Sequence, residues 1–419
     1  MNILRFFSLS LLANFIKIIS GIVINKTIAV MIGPSGLVVI SQFQNFIQII
    51  YNLSKLGING GVTKLTAQFY NEELKLQKIW FTALTISIIS SMLMMVIVFF
   101  GRFYFSILIF NDVSKSFFFI PLSISIIFVV LNSLYLSIIN GQQKITLFIK
   151  INILQSILSL IITVYCIYIY GLNGAIFSLS LNQSLIFFLV ILFVLKKNRY
   201  RKINLMSGFS TIVCKELSKF SLMAIISSLL LPLNQSWIRH LLVNEYSEHI
   251  AGIWQGVNYL SLTFITLITS SLSIYYLPKI SGKSKEYVKK EVFAIYKLVL
   301  PMSIISVAII YFSRDIIIYI LFSPEFKAMR DLFLWQFIGD FIRINTFPLS
   351  YLLVSNTCTK KYIASEVLLY GFYGLSVFIF LSLDSRGDFT IVPILYFASC
   401  VFYSMYIYVS TRKYLITTI

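Results

Sequence analysis

Apolar stretches of roughly twenty residues follow one another along nearly the whole chain, and that length crosses about 30 Å of hydrocarbon as a helix. They lie at 7–31, 36–58, 79–100, 117–139, 149–170, 174–195, 217–238, 251–277, 293–312, 332–354, 362–383 and 390–411. A water-soluble fold of 419 residues that is 58% hydrophobic, with 38 phenylalanines, could not place that much apolar surface inside. Only 12% of residues are charged, against roughly 25% in an ordinary soluble domain. The expected fold class is therefore an all-α polytopic membrane protein with about twelve transmembrane helices. The first stretch is too long and too lysine-rich for a cleaved signal peptide, and no small-residue cleavage site follows it.

Lysine and arginine set the direction. Twelve spans leave both termini on one side, and the gaps on that side carry 22 basic residues against seven opposite. The densest are "KKNRYRK" at 196–202 and "KISGKSKEYVKK" at 279–290. The positive side is expected to be cytoplasmic, which places both termini inside. The same distribution argues against nucleic acid as the reason for a net charge of +19, because the cations sit in short gaps between apolar runs.

The basic gap at 196–216 divides the chain into two sets of six spans, 1–195 and 217–419. The halves echo each other faintly. "GRFYFSILIF" at 101–110 follows the third span, and "SRDIIIYILF" at 313–322 follows the ninth. "PLS" recurs at 121–123 and 348–350. Together these fit two six-helix lobes, an arrangement common among secondary transporters, although greasy segments can match by chance.

Charge within a span is expensive and usually faces a bundle interior or a wetted cavity. The second span carries Gln42, Asn45, Gln48, Asn52 and Lys55, spaced to share one helical face. Amides can glue helices together, but five polar groups down one helix exceed what glue needs. The reading taken here is a cavity wall. Asn14 and Lys17 share a face of the first span, with Lys17 close to mid-membrane. Lys26 points roughly opposite and lies nearer the outer end, where it can snorkel. The tenth span places Gln336, Asp340 and Arg343 on one face. Asp340 and Arg343 could neutralise each other, Asp340 could aim Arg343 at a ligand, or Asp340 could take up a proton. Glu366 is expected at the interface. Lys64 and Lys219 flank the cytoplasmic mouth. With Lys17, Lys55 and Arg343 set against one candidate acid, such a cavity attracts anions.

"GINGGVTKLTAQ", 57–68, interrupts the apolar pattern at the cytoplasmic end of the second span. Its glycines allow a tight turn or a left-handed step, and such turns expose amide N–H groups to phosphate oxygens. A plain elbow and an elbow with phosphate contact both remain open. No Walker motif is present, so ATP binding has no support. Cys166, Cys214, Cys358 and Cys400 are scattered, and His240 and His249 lack a third ligand. No metal or other cofactor is expected.

Six further stretches stand out: "GPSGL" at 33–37, "NGGVTK" at 59–64, "LSKFSLMA" at 217–224, "GIWQGV" at 252–257, "YLP" at 276–278 and "FKAMRDLFLWQFIGD" at 326–340. They resemble stretches of the Wzx group of oligosaccharide flippases, which move O-antigen units and lipid III, the undecaprenyl-linked intermediate of enterobacterial common antigen. The resemblance implies the fold of the multidrug/oligosaccharidyl-lipid/polysaccharide (MOP) exporters: two six-helix lobes around a central cavity, as in MATE transporters. It implies passage of an undecaprenyl-diphosphate-linked glycan from the inner to the outer leaflet of the bacterial inner membrane, without covalent catalysis. It carries Lys17, Lys26, Asn45, Lys64, Lys219, Asp340 and Arg343 over as cavity candidates. A proton or ion gradient is a possible energy source, glycan polymerase and assembly proteins are possible partners, and the working unit is expected to be a monomer. Where lipid III flippases resemble "NGV" this chain has "NGG", which leaves the glycan open.

Three rivals are weighed against this reading. A small-molecule antiporter of the same fold would favour several buried acids and few central cations. A glycan polymerase or ligase would place its acids, histidines or arginines in a large outer loop, and every outer gap here is short. A non-transporting scaffold would not require Lys17 at mid-span.

Overall fold

The structure is a computed structural model describing residues 3–195, 208–280, 285–356, 358–383 and 388–415. Among these residues all regular structure is helical, and each of the twelve apolar stretches falls in a helix, apart from a few terminal residues. The basic run at 196–202 lies outside the described residues, and so does part of the run at 279–290.

The first half contains α1 (Ile3–Met31), α2 (Gly33–Lys55), α3 (Asn59–Gln68), α4 (Glu73–Phe100), α5 (Arg102–Phe110), α6 (Phe119–Gly141) and α7 (Ile145–Leu195). The fifth and sixth stretches meet inside α7 at Gly171, where φ is 54° and ψ −131°. An L side chain would be strained there, so the chain bends at a residue that tolerates it. The second half contains α8 (Thr211–Glu245), α9 (Glu248–Ile280), α10 (Lys285–Phe312), α11 (Arg314–Leu321), α12 (Phe333–Ser355), α13 (Thr359–Leu383) and α14 (Ile391–Leu415).

Six helical segments among the described residues are long and apolar enough to cross a membrane by length and composition. They correspond to the third, fourth, ninth, eleventh and twelfth stretches and to the first part of α7. α2 and α12 fall short because polar groups dilute them, and those groups are the candidate site residues.

The chain forms two compact units. One comprises residues 1–32 and 39–232, the other 33–38 and 233–419. The division falls inside α8 next to Pro232, which has no backbone N–H to donate to the helix. In the first unit α1 packs on α7, and α6 packs on α3, α4 and α7. Its core gathers Phe43, Phe110 and Phe119 in tilted and edge-on contacts. In the second unit α12 is the hub, packed on α9, α10, α13 and α14.

The local echo between the halves is structural. Arg102 and Arg314 each open a short helix, α5 and α11, and each short helix leads into a 3-10 segment. Each guanidinium also stacks on an aromatic ring three residues back and donates to that residue's carbonyl: Arg102 on Phe99 and Arg314 on Tyr311.

Residues 33–38 are held in the second unit by close approach to α9. A Cβ at Gly252 would stand 2.3 Å from the Pro34 carbonyl oxygen, which is backbone and cannot swing aside. Gly252→Ala should therefore destabilise the protein by about 1–3 kcal/mol, as overpacking does. Unfolding in detergent micelles checks this, and a wild-type midpoint would refute the contact.

Candidate functional site

The first unit holds an open cavity of about 360 Å³ between α1, α2, α6 and α7. Lys17 enters it from α1 and Lys55 from the last turn of α2. The two ammonium groups repel each other there. The rest of the polar lining is amide and hydroxyl, with Ser20 on α1, Asn132 and Ser133 on α6, and Asn152, Gln155, Ser156 and Ser159 on α7. Among the described residues no carboxylate lines it. Several of the neutral groups are already engaged. Gln155 Nε2 donates to Asn132 Oδ1 at 3.2 Å, and Asn59 Nδ2 donates to Ser133 Oγ at 3.2 Å. Asn182 Nδ2 donates to Ser159 Oγ at 2.6 Å. Among the described residues neither lysine has an ion pair or a hydrogen bond. The cavity therefore presents two unneutralised cations on a scaffold of satisfied amides, which is an arrangement for an anion.

The polar face of α2 is divided by the fold. Lys55 joins the cavity, while Asn52 Nδ2 donates to the Ser228 carbonyl of α8 at 3.0 Å and so acts as interhelical glue. Asn45 is buried, Gln42 half-buried and Gln48 exposed. The face is thus partly wall and partly glue. Lys26 is exposed on α1 and does not line the cavity. The side chains of Asn14 and Lys219 lie outside the described residues.

The "NGG" glycines sit inside α3 rather than in a turn. The left-handed step comes earlier, at Leu56 (φ 48°) and Gly57 (φ 62°). α2 ends there because those two residues adopt a conformation no helix continues. Lys64 is exposed on α3.

The second unit builds a different polar centre. Gln336, Asp340 and Arg343 do share one face of α12, as their spacing requires, and all three are buried. Asp340 and Arg343 form no direct ion pair. Tyr396 of α14 stands between them, donating to Asp340 Oδ1 at 2.9 Å and accepting from Arg343 Nη1 at 3.5 Å. Ser261 of α9 donates to the same Oδ1 at 2.8 Å, and Gln336 Nε2 donates to Ser261 at 3.0 Å. Arg343 Nη2 donates to the Tyr370 hydroxyl at 2.6 Å. Glu366, expected at the interface, is buried and acts electrostatically on Arg343. Apolar packing of α13 against α14 carries it inside.

Sequence reasoning missed one signal that was available. Asn152, Gln155, Ser156 and Ser159 fall at helical spacing on α7, the same pattern that singled out α2. Tyr370 and Tyr396 carried no such signal among 25 tyrosines. Arg239 directly follows the seventh apolar stretch, where an arginine reads as a loop cation, yet it lies within α8 and is fully buried.

Solved structures share the architecture over nearly its whole length. One is an inward-facing multidrug resistance MATE family transporter of the MOP superfamily, at TM-score 0.74 and 14% identity, covering 95% of each chain. Another is a MOP superfamily transporter from Pyrococcus furiosus described by a binding pocket of reverse polarity that suggests a different function, at TM-score 0.74 and 14% identity, covering 98% of this chain and 95% of that one.

The fold is that of MOP-superfamily transporters.

In sequence, the chain is 29% identical to the lipid III flippases of Escherichia coli (strain K12) and Shigella flexneri over 360 residues, 85% of this chain and 86% of each relative. No protein-family model matches it. By the length and composition of its helices the chain is a multi-pass membrane protein, and the proteins it resembles in sequence and fold are described as flippases and transporters. Among the described residues no group of His, Cys, Asp and Glu could hold a metal.

Proposed function

We propose that this transporter flips an undecaprenyl-diphosphate-linked oligosaccharide, an O-antigen unit or a lipid III-like glycan, from the cytoplasmic to the periplasmic leaflet. The observation that carries this reading is the pair of unneutralised lysines, Lys17 and Lys55, in a cavity that no acid lines among the described residues. Sequence similarity to lipid III flippases supports the choice of anion. The physical problem is a diphosphate with sugars attached, neither of which enters hydrocarbon cheaply. The lysines hold the diphosphate, the amides of α6 and α7 meet sugar hydroxyls, and the polyprenyl tail stays in lipid.

Twelve spans, cytoplasmic termini and two lobes at 1–195 and 217–419, joined by 196–216, complete the proposal, with rocking of one lobe against the other giving alternating access. Arg343 serves as a further headgroup residue and Asp340 as the candidate for coupling to a proton or ion gradient. Gln42, Asn45, Gln48, Lys64 and Lys219 are secondary candidates for contact with the ligand in transit, whereas Lys26 and Asn52, the one outside the lysine cavity and the other held by Ser228, drop out. The transporter works as a monomer beside the glycan polymerase and assembly proteins. A small-molecule antiporter is the second reading, favoured by the fully buried Asp340.

Proteoliposomes with defined lipid-linked glycans decide between them. The expected result is glycan movement; uptake of a small cation with no lipid movement would select the antiporter. Orientation has its own test. Cysteines placed near residue 200 should label from the cytoplasm and those near 108 from the periplasm, and the reverse pattern would overturn the direction of transport.

A further inference from the structure

Arg239 is a charged group that the lysine cavity does not use. It sits on α8, fully buried, and one of its nitrogens is satisfied: Nη2 donates to Gln255 Oε1 on α9 at 2.6 Å. Its Nε and Nη1 are inaccessible and have no hydrogen-bond partner. Among the described residues no carboxylate pairs with it. The charge acting on the buried Asp340 is that of Arg343. A guanidinium left this way is costly, because its charge has lost water and gained one neutral acceptor.

The neighbouring amides do not repair the deficit. Gln235 precedes Arg239 by one helical turn on the same face of α8, and its Nε2 is also buried without a partner. Asn258 follows Gln255 by one turn on the face of α9 that meets Arg239, and its Nδ2 is likewise unpartnered. All the unsatisfied atoms here are donors. A buried cation flanked by donors from two helices lacks one kind of component, an anionic acceptor, and the planar guanidinium fork suits an oxyanion.

We infer that Arg239, Gln235 and Asn258 form a second oxyanion site, of phosphate class, in the second unit. The site is closed in this structure, so the ligand is admitted when α8 and α9 separate. The assignment of its natural ligand as a lipid diphosphate rests on the proposed function; the presence of the site does not. Arg239 lies in the last turns of α8, toward the side opposite the basic loops, so the site would receive the diphosphate late in transit.

The test uses the full chain in lipid nanodiscs, with inorganic diphosphate and geranylgeranyl diphosphate as probes and tryptophan fluorescence as readout. Wild type should bind, and Arg239→Gln should weaken binding by about 10- to 100-fold, the worth of one charged hydrogen-bonding group. Arg239→Lys, which keeps the charge, should lose less than Arg239→Gln, and the Gln235→Ala/Asn258→Ala pair supplies an independent variant if Arg239→Gln fails to fold. Tighter binding of the prenyl diphosphate points to the lipid, and equal binding of both probes to a free phosphate; either supports the site. Equal binding by wild type and Arg239→Gln, or no binding of either probe by wild type, would overturn it. Binding that depends on Arg239 in a protein that moves no lipid-linked glycan would keep the site and sink the flippase reading.

Discussion

Substituting Lys17 and Lys55 together by glutamine should slow movement of a diphosphate-linked glycan by about 10²-fold or more while leaving the protein folded. Each lysine offers a charge-assisted contact worth about 1.5–3 kcal/mol, so losing two multiplies to at least that factor. The fold should be indifferent, because neither ammonium hydrogen-bonds to the described protein and the two repel each other. Stability should stay level or rise slightly. This split separates a ligand-binding role from a packing role, which would lower stability and rate together. Arginine at both positions should restore much of the activity, since it keeps the charge and still offers donors to phosphate. The measurement is glycan movement in proteoliposomes beside an unfolding curve for each variant. Full activity in the double glutamine variant would reject the cavity as the headgroup site.

The second large effect is expected at the polar centre of the other unit, and it should fall on stability. Arg343→Met leaves the buried hydroxyl of Tyr370 without its donor at 2.6 Å and removes the cation that acts on buried Glu366. Stranded buried groups of this kind cost about 1–3 kcal/mol each, so a loss of about 2–4 kcal/mol is expected in detergent unfolding. Asp340→Asn should be mild by comparison. An amide keeps an acceptor for Ser261 and Tyr396, and the other carboxylate oxygen has no partner to lose. Should Asp340 carry the coupling proton, Asp340→Asn will still flip glycan but will ignore an imposed proton gradient. A gradient response equal to wild type would remove Asp340 from any coupling role. Equal stability of Arg343→Met and wild type would show that the Tyr370 and Tyr396 contacts contribute nothing.

How far the candidate site could be read from residues depends on what periodicity reports. The α2 face of Gln42, Asn45, Gln48, Asn52 and Lys55 was visible because helical spacing is a local property. What each residue faces is not local. Lys55 opens to a cavity because α1, α6 and α7 leave space beside it, while Asn52, one turn earlier, meets the Ser228 carbonyl. The Asp340–Arg343 spacing likewise suggested a pair, but the hydroxyl of Tyr396 bridges them from a helix more than fifty residues away. Arg239 shows the opposite error. A lone arginine at the end of an apolar run resembles a loop cation, and only the packing of α8 on α9 reveals it as buried.

The sequence by itself determined that the chain is helical, that its helices suit a bilayer, and where most of them break. These follow from hydropathy, from helical period and from residues such as Gly171 that permit backbone other residues avoid. Tertiary structure alone decided which polar groups share a cavity, which are spent on neighbouring helices, and which are buried with donors unsatisfied. The reason is physical. A helix of any given sequence satisfies its own backbone, but the surroundings of its side chains are supplied by segments far away in the chain.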